Sequence, residues 1–259
     1  MGNNKQIVFF DIDGTLISEG GNVRQETIEA VDQLREKGIY PAIATGRGPF
    51  MHKHIREQLN INTYVSFNGQ LAVFEGEVVY ENPLQTKLLQ SLSKDALAKG
   101  NPVAFIGKDM MTVSEEGHAY ISESLGSLNI SYPEVDLTFF EKEKIYQALV
   151  FCVEDEQKRY EQEHSFFDYI RWHKYSMDVL PKDGSKALGI QKLIERVGVE
   201  QENTFAFGDG LNDREMLQYV GTGIAMGNAK DEVKRYADYV TKHVDELGVV
   251  YGLRKFGLI

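Results

Sequence analysis

Two pairs of aspartates follow directly on short apolar segments of this sequence. Asp11 and Asp13 come after the run QIVFF, and Asp209 and Asp213 come after FAFG. Carboxylates gathered at one place repel each other unless a cation or another positive group balances them. If the two apolar runs are parallel strands of one sheet, the four acids meet beyond its carboxyl edge. Oxygen ligands without histidine or cysteine suit a hard cation, so we expect these acids to surround Mg²⁺.

A second set of polar groups has the types that suit a phosphate. Thr45 and Gly46 follow the apolar run IYPAIA, and Lys186 begins a helix-like stretch. A hydroxyl, a lysine ammonium and backbone N–H groups at a helix start together bind phosphoryl oxygens. A magnesium site, a phosphate site and an exposed carboxylate describe phosphoryl transfer through an aspartyl-phosphate. In such a site one aspartate of the first pair attacks phosphorus and the other moves protons.

Alternating strand-like and helix-like stretches predict the scaffold that brings these groups together. The first third of the chain reads as strand, helix, strand, helix, strand, which implies a parallel sheet with right-handed crossovers. The same alternation returns after the segment LPKDGS, whereas the residues between are typical of an α+β unit. We predict an α/β fold with a doubly wound parallel-sheet (Rossmann-like) core from residues 1–82 and 183–259. Residues 83–182 form an inserted α+β domain, with hinges near ENPL and LPKDGS.

The composition argues against several classes of function. The 259 residues carry a formal net charge of −11, whereas a protein that binds nucleic acid needs a basic surface. No apolar run reaches the roughly 18 residues of a membrane helix, and the first strand-like run leaves no room for a signal peptide. Cys152 is the only cysteine, so no intrachain disulfide is expected. We expect a cytoplasmic monomer or small homo-oligomer that does not bind nucleic acid or a membrane.

Four short motifs resemble those of a known family. DIDGTL, ATGR, SKALG and GDGLNDREML are similar, in type and order, to the four motifs of the haloacid dehalogenase (HAD) superfamily. The insertion between the second and third motifs, and AMGNA at 225–229, resemble the Cof-type branch of its phosphatases, whose insertion is a large α/β cap. The resemblance spans the core from Val8 to about Ala229, and the insertion matches by position and size rather than by motif. It implies that the inserted domain is a cap and that the chain is a Mg²⁺-dependent phosphatase of a small phosphorylated metabolite, such as a sugar phosphate.

The resemblance implies a role for each residue of the first three motifs. Asp11 is then the nucleophile and a Mg²⁺ ligand. Asp13 is the general acid and base, and its backbone carbonyl binds Mg²⁺. Thr45 and the N–H of Gly46 hold phosphoryl oxygens. Lys186 neutralises the phosphate and the charge of Asp11.

The resemblance assigns the fourth motif to the metal and the phosphate. Asp209 is then the remaining protein ligand of Mg²⁺, Asp213 supports it, and Asn212 reaches the phosphate. The sequence departs mildly from the commoner pattern of the third motif. Ala187 stands where glycine is frequent, and residues 183–184 are Asp-Gly where an apolar residue is often found.

Two alternative functions and several residues stay open. A phosphomutase or phosphotransferase with the same site would pass the phosphoryl group to a second hydroxyl, and a non-catalytic sensor would only bind a phosphorylated metabolite. In the family that the sequence resembles, the dehalogenases lack an acid at the position that Asp13 occupies here. The resemblance therefore disfavours dehalogenation. Arg47 either contacts substrate or pairs with an acid of the core. Trp172 and His173 either line a substrate pocket or belong to the structure of the insertion.

Overall fold

The protein is described by a computed structural model of residues 5–18, 21–128 and 130–259. Its Cα packing divides the chain into two compact units. The core unit combines the described residues of Met1–Glu81 with Ser185–Ile259, and the inserted unit is Asn82–Gly184. The boundaries expected from sequence lie at 82/83 and 182/183.

Short strands and helices follow one another along both units. In chain order the strands are β1 (Ile7–Phe10), β2 (Tyr40–Ala44), β3 (Tyr64–Ser66), β4 (Leu71–Phe74), β5 (Glu77–Glu81), β6 (Val103–Ile106), β7 (Met111–Val113), β8 (Glu134–Val135), β9 (Gln147–Val150), β10 (Phe167–His173), β11 (Ser176–Pro181), β12 (Thr204–Gly208), β13 (Thr222–Ala225) and β14 (Tyr239–Val240). The α-helices are α1 (Gln25–Glu36), α2 (Lys53–Leu59), α3 (Thr86–Ala98), α4 (Ala119–Ser127), α5 (Phe139–Lys142), α6 (Glu154–Glu163), α7 (Lys186–Val197), α8 (Arg214–Tyr219), α9 (Asp231–Lys234) and α10 (Gly248–Lys255). Short 3₁₀ turns occupy Phe67–Gly69, Gln201–Asn203, Leu211–Asp213 and Val244–Glu246.

The core unit is built on an eight-stranded sheet in the order β14-β13-β12-β1-β2-β3-β4-β5. The strands from β14 to β3 pair in parallel, and β4 and β5 add an antiparallel edge. All four residues of β1 are buried, as expected for a central strand with helices on both faces. Phe9 packs with Leu193 of α7 on one face. On the other face Phe10 stacks on Phe207, and Gly252 of α10 lies against the Phe207 ring.

The register of the three central strands places the site. Phe10 of β1 pairs with Phe207 of β12 on one side and with Ile43 of β2 on the other. The N–H of Asp11 donates to the carbonyl of Phe207 at 3.0 Å. The residues that follow β1, β2 and β12 therefore emerge side by side at the carboxyl edge of the sheet, where open α/β sheets bind ligands.

The inserted unit contains a six-stranded sheet in the order β10-β11-β9-β6-β7-β8. Its strands pair antiparallel except β7 and β8, which are parallel. One face of this sheet forms a core of its own with α3, α5 and α6: Phe105 and Val150 pack with Leu92 and Tyr160, and the rings of Phe105 and Phe140 lie 5.0 Å apart. A separate apolar core is what defines a domain.

The predicted fold class, a Rossmann-like α/β core with an inserted α+β domain, is confirmed. Sequence reasoning did not predict α4, α5, β7, β8 or β14. These elements are short, and α4 buries only Ile121, Ser124 and Leu125, so little apolar periodicity marks them.

Among the helices of the described residues, none has both the length and the apolar content to cross a lipid bilayer.

Candidate active site

Three carboxylates converge at the carboxyl edge of the core sheet. Asp11 follows β1, and Asp209 and Asp213 follow β12. One oxygen from each carboxylate lies within 4.8 Å of the other two. The strand register therefore brings three of the four acids that the sequence predicts at this edge into one cluster.

Lys186 lies between two of these acids. Its Nζ donates to Asp11 Oδ1 and to Asp213 Oδ1, each at 2.6 Å, and only 1% of its side chain is exposed. Lys186 is the first residue of α7, and the Ser185 hydroxyl caps that helix by accepting from the N–H of Leu188. The capped helix start thus fixes the backbone from which the lysine reaches the cluster.

One ammonium does not balance three carboxylates. Burial raises the pKa of the Asp11 carboxyl above its usual range, and the Lys186 ammonium opposes this only in part. Burial also raises the pKa of Asp209 to about 6, and the charge of Asp213 adds to the rise. Burial lowers the pKa of Lys186, but the carboxylates of Asp11 and Asp213 more than offset this, so its pKa lies above its usual value. The cluster is therefore short of positive charge.

Asp213 organises the loop rather than facing a ligand. It is fully buried. Its Oδ2 accepts from the N–H of Asp209 at 3.0 Å and from the N–H of Gly210 at 2.8 Å, while its Oδ1 is bound to Lys186. Because both oxygens are already engaged, Asp213 holds Asp209 and Lys186 in place.

The Asp209 carboxylate is oriented by two donors. The Thr15 hydroxyl donates to Oδ1 at 3.1 Å, and Asn228 Nδ2 donates to Oδ2 at 3.2 Å. Asn228 Nδ2 also donates to the carbonyl of Gly14 at 2.8 Å, and its Oδ1 accepts from the N–H of Val244 at 2.9 Å. A side chain at Gly14, whose φ is +77°, would overlap the Asp209 carboxylate. Sequence reasoning gave Asn228 no role, although its segment AMGNA was noted.

Asp13 lies apart from the buried cluster, at its exposed rim. Arg47 binds both of its carboxylate oxygens, and 60% of the Asp13 side chain is exposed. Of the two possibilities left open for Arg47, the structure shows pairing with an acid of the core unit.

Thr45 and Gly46 follow β2 beside the cluster. Thr45 is buried, and its hydroxyl accepts the N–H of Arg47 at 3.1 Å, which leaves the hydroxyl proton available for a ligand. Among the described residues, no backbone hydrogen bond engages the N–H of Gly46. The two groups that the sequence assigns to phosphate thus both retain a donor.

Asn212 is bound to a residue that sequence reasoning missed. Its Nδ2 donates to Asn68 Oδ1 at 3.0 Å. Asn68 lies in the turn after β3, and its N–H donates to the carbonyl of Thr45 at 3.1 Å. The Asn-Gly dipeptide at 68–69 signals a turn in the sequence, but it does not reveal which loops the asparagine side chain joins.

His52 and three residues that the sequence analysis named, Cys152, Trp172 and His173, take part in structural contacts. His52 is buried with its Nε2 2.9 Å from Ser66 Oγ. Cys152 is buried, which raises the pKa of its thiol and makes it unreactive. In the inserted unit Trp172 hydrogen-bonds Asp178, whose pKa burial raises to about 7, and His173 Nδ1 lies 2.9 Å from the hydroxyl of Ser124 in α4. Whether Trp172 and His173 line a substrate pocket stays a prediction.

Comparison with known proteins decides the family. From residue 8 to residue 253 the sequence matches the model of the haloacid dehalogenase-like hydrolase family. The chain belongs to this family. The predicted HAD membership in the Cof-type branch is thereby confirmed, and so is the predicted enzyme class, a hydrolase of the phosphatase type.

Individual relatives of this HAD hydrolase match over nearly their whole length. It is 45% identical to the putative phosphatase YkrA of Bacillus subtilis, over 99% of each chain. It is 50% identical to a hypothetical protein of Geobacillus kaustophilus HTA426 of solved structure, with a TM-score of 0.96, over 98% of this chain and 100% of that one. The subclass IIB sugar phosphatase BT4131 is 31% identical, with a TM-score of 0.83, over 98% of this chain and 100% of that one.

Proposed function

We propose that this HAD hydrolase is a Mg²⁺-dependent phosphatase that hydrolyses a small phosphorylated metabolite through an aspartyl-phosphate. The observation that carries the proposal is the buried cluster of Asp11, Asp209 and Asp213, to which Lys186 supplies a single positive charge. Such a cluster costs free energy unless a cation balances the excess negative charge.

The residues present fit a magnesium ion. The acids offer oxygen only, as a hard cation prefers, and the pKa of Asp209 is raised by burial and by the neighbouring charge of Asp213. Asp11 and Asp209 would hold the ion together with the backbone carbonyl of Asp13, while both oxygens of Asp213 are already engaged. When bound, the ion would neutralise negative charge on the phosphoryl group.

The protein residues divide the chemistry between them. The Asp11 carboxylate attacks phosphorus, the ester P–O bond breaks, and the leaving oxygen takes a proton from the Asp13 carboxyl. Asp13 then accepts a proton from a water whose oxygen attacks the phosphorus. The P–O bond to Asp11 breaks, which releases inorganic phosphate and restores the Asp11 carboxylate. Lys186, Thr45, the N–H of Gly46 and Asn212 bind the phosphoryl oxygens during both steps.

The substrate class is proposed from the insertion and from the relatives. BT4131, a sugar phosphatase, covers 98% of this chain. We propose that the unit Asn82–Gly184 serves as the cap of a Cof-type phosphatase and carries the selectivity for a sugar phosphate or a similar small metabolite. A cap excludes water during transfer and admits it afterwards, which suits small substrates better than phosphoproteins.

A phosphate-release assay tests the proposal. We expect hydrolysis of p-nitrophenyl phosphate to disappear with EDTA and to return with Mg²⁺, and a panel of phosphorylated metabolites to contain better substrates. Release of one inorganic phosphate per ester cleaved supports a phosphatase, whereas transfer to an added sugar without release indicates a phosphotransferase. Binding without turnover on any member of the panel indicates a sensor. Activity that survives complete chelation contradicts the metal assignment.

A further inference from the structure

Three consecutive residues next to the site have positive φ angles. They are Phe67 at +55°, Asn68 at +51° and Gly69 at +101°. Only Gly69 adopts this region without a steric cost, because the Cβ of an L-residue crowds its own backbone there. Asparagine tolerates the region better than most residues, and phenylalanine does not. A run of this kind persists only where the surrounding structure holds it, and such runs concentrate at functional sites.

The neighbouring chain segments hold this turn from two sides. The N–H of Phe67 donates to the carbonyl of Arg47 at 3.3 Å, and the N–H of Asn68 donates to the carbonyl of Thr45 at 3.1 Å. On the opposite side Gly69 packs so closely on Ser185, the cap of α7, that a Cβ would overlap the Ser185 carbonyl. The turn is therefore clamped between the Thr45 loop and the start of the helix that carries Lys186.

The clamped turn places the amide of Asn68 between two groups proposed to bind phosphate. Its Oδ1 accepts from Asn212 Nδ2 at 3.0 Å. On its other side the amide covers Gly46, since a Cβ on Gly46 would lie only 3.1 Å from Asn68 Nδ2. The residue is 7% exposed. Among the described residues, no acceptor takes a hydrogen bond from its Nδ2.

Tolerance of a left-handed turn does not by itself account for these contacts. Asn60, the C-cap of α2, has nearly the same backbone angles, φ 50° and ψ 43°, against φ 51° and ψ 39° for Asn68. The Asn60 position is exposed, at the end of α2. Asn68 differs because its side chain is buried, has its oxygen engaged by Asn212, and has two N–H protons beside Gly46.

We propose that Asn68 is a phosphate-binding residue outside the four motifs. Its Nδ2 donates to a phosphoryl oxygen held by Thr45 and Gly46. Its Oδ1 orients Asn212 so that the side-chain amide of Asn212 faces the same phosphoryl group. This inference rests on the proposed function, because it concerns the phosphate site of that reaction.

The first test replaces Asn68 with glycine and uses Asn60 as a matched control. Asn68→Gly keeps a residue that adopts the left-handed backbone and removes only the amide. We expect its affinity for inorganic phosphate in saturating Mg²⁺, measured by calorimetry, to fall about 10- to 100-fold, as for the loss of one hydrogen bond to a charged group. Asn60→Gly makes the same backbone change and should keep wild-type affinity. The two variants should melt within a few degrees of each other.

The second test separates donation from the shape of the turn. Asn68→Asp retains an oxygen for Asn212 and the tolerance for positive φ, but it replaces the donor with a negative charge. We expect phosphate binding to fall further than in Asn68→Gly, while Mg²⁺ affinity without phosphate stays within about twofold of wild type, since Asn68 contacts none of the acids proposed as metal ligands.

The outcomes distinguish failure of the inference from failure of the proposed function. If the wild-type protein binds no inorganic phosphate and hydrolyses no ester with Mg²⁺, the proposed function fails. If the wild type does both and either Asn68 variant binds phosphate as tightly as the wild type, Asn68 is only a turn residue and the inference is overturned. A drop of equal size in Asn60→Gly would also overturn it, because the effect would then come from backbone alone.

Discussion

Arg47 binds the carboxylate of Asp13 through two hydrogen bonds, from Nε to Oδ2 at 2.9 Å and from Nη2 to Oδ1 at 2.6 Å. The backbone N–H of the same residue donates to the Thr45 hydroxyl at 3.1 Å. One arginine therefore fixes the proposed proton-transfer group relative to a proposed phosphate ligand. A paired guanidinium fork of this kind sets the orientation of a carboxylate as well as its distance.

Arg47→Lys should reduce turnover selectively. Lysine keeps the charge but provides no planar pair of donors, so the Asp13 carboxyl loses its fixed orientation. Because general acid catalysis matters most for poor leaving groups, we expect kcat to fall about tenfold or more with a sugar phosphate and less with p-nitrophenyl phosphate. Steady-state kinetics on the two substrates give the comparison. The control is Arg24→Lys, at a surface arginine paired with Asp245, and it should leave kcat unchanged with both substrates. An equal loss of kcat with both substrates in Arg47→Lys would show that Arg47 does not act through Asp13.

Asn228→Ala should weaken metal binding. Asn228 is one of two donors to the Asp209 carboxylate, and it also ties Gly14 to Val244. Residues that orient a metal ligand typically contribute about 10- to 100-fold to metal affinity, so we expect a loss of that order in a calorimetric titration with Mg²⁺. Asn22→Ala, at an exposed asparagine, serves as the control. If Mg²⁺ binds Asn228→Ala as tightly as the wild type, the Asp209 carboxylate needs no support from this side chain.

The strand ends were predictable from the sequence, and the partners of the side chains were not. Asp11, Thr45 and Asp209 each end a short apolar run, and a parallel sheet must bring such ends to one edge. Lys186 begins a helix with a serine cap, which the sequence also displays. The pattern therefore contains enough information to predict which residues gather at this edge.

Local sequence patterns do not reveal the roles of Asn68 and Asn228, nor which acid Arg47 pairs with. Each asparagine is an uncharged residue in a turn, and its importance comes from hydrogen bonds to residues more than a dozen positions away in the chain. The same limit applies to α4 and to the short strands of the inserted unit, where one or two buried turns leave no periodic signal. Contacts that depend on the assembled fold are invisible to local spacing.

His52 should make the stability of the protein depend on pH. Burial, together with the charges of Arg56 and Arg47, lowers its pKa from 6.5 to about 3. Between these two values the unfolded chain binds a proton that the folded chain does not, so the free energy of unfolding falls as the pH drops below 6.5 toward 3. One such group changes the free energy of unfolding by at most about 1.4 kcal/mol per pH unit.

Urea unfolding at pH 7, 6, 5 and 4 measures this contribution. We expect His52→Gln, whose amide can still bond Ser66, to lose less stability between pH 7 and pH 4 than the wild type does. His54→Gln changes an exposed histidine two positions away and should retain the wild-type slope. Parallel curves for the wild type and His52→Gln would mean that the pKa of His52 is the same in the folded and the unfolded protein.

The two aspartates of the first motif should fail in different ways. Asp11→Asn should abolish activity on every substrate, because an amide does not attack phosphorus at that step. Asp13→Asn retains the nucleophile but can neither protonate a leaving oxygen nor activate water. Nitrophenolate leaves without a proton, whereas a sugar alkoxide does not. Asp13→Asn should therefore still be phosphorylated by p-nitrophenyl phosphate and then turn over slowly.

Rapid mixing resolves the two aspartate variants. With p-nitrophenyl phosphate, Asp13→Asn should release a burst of about one equivalent of nitrophenol per enzyme before a slow steady state, and with a sugar phosphate it should react little even in the first turnover. Its Mg²⁺ should stay bound, because Asp13 is proposed to bind the ion through its backbone carbonyl and its side chain is instead engaged by Arg47. A variant that keeps its metal yet shows no burst would place Asp13 in the attack step itself. Near-normal activity of Asp11→Asn would show that Asp11 is not the nucleophile, although Lys186 contacts its carboxylate at 2.6 Å.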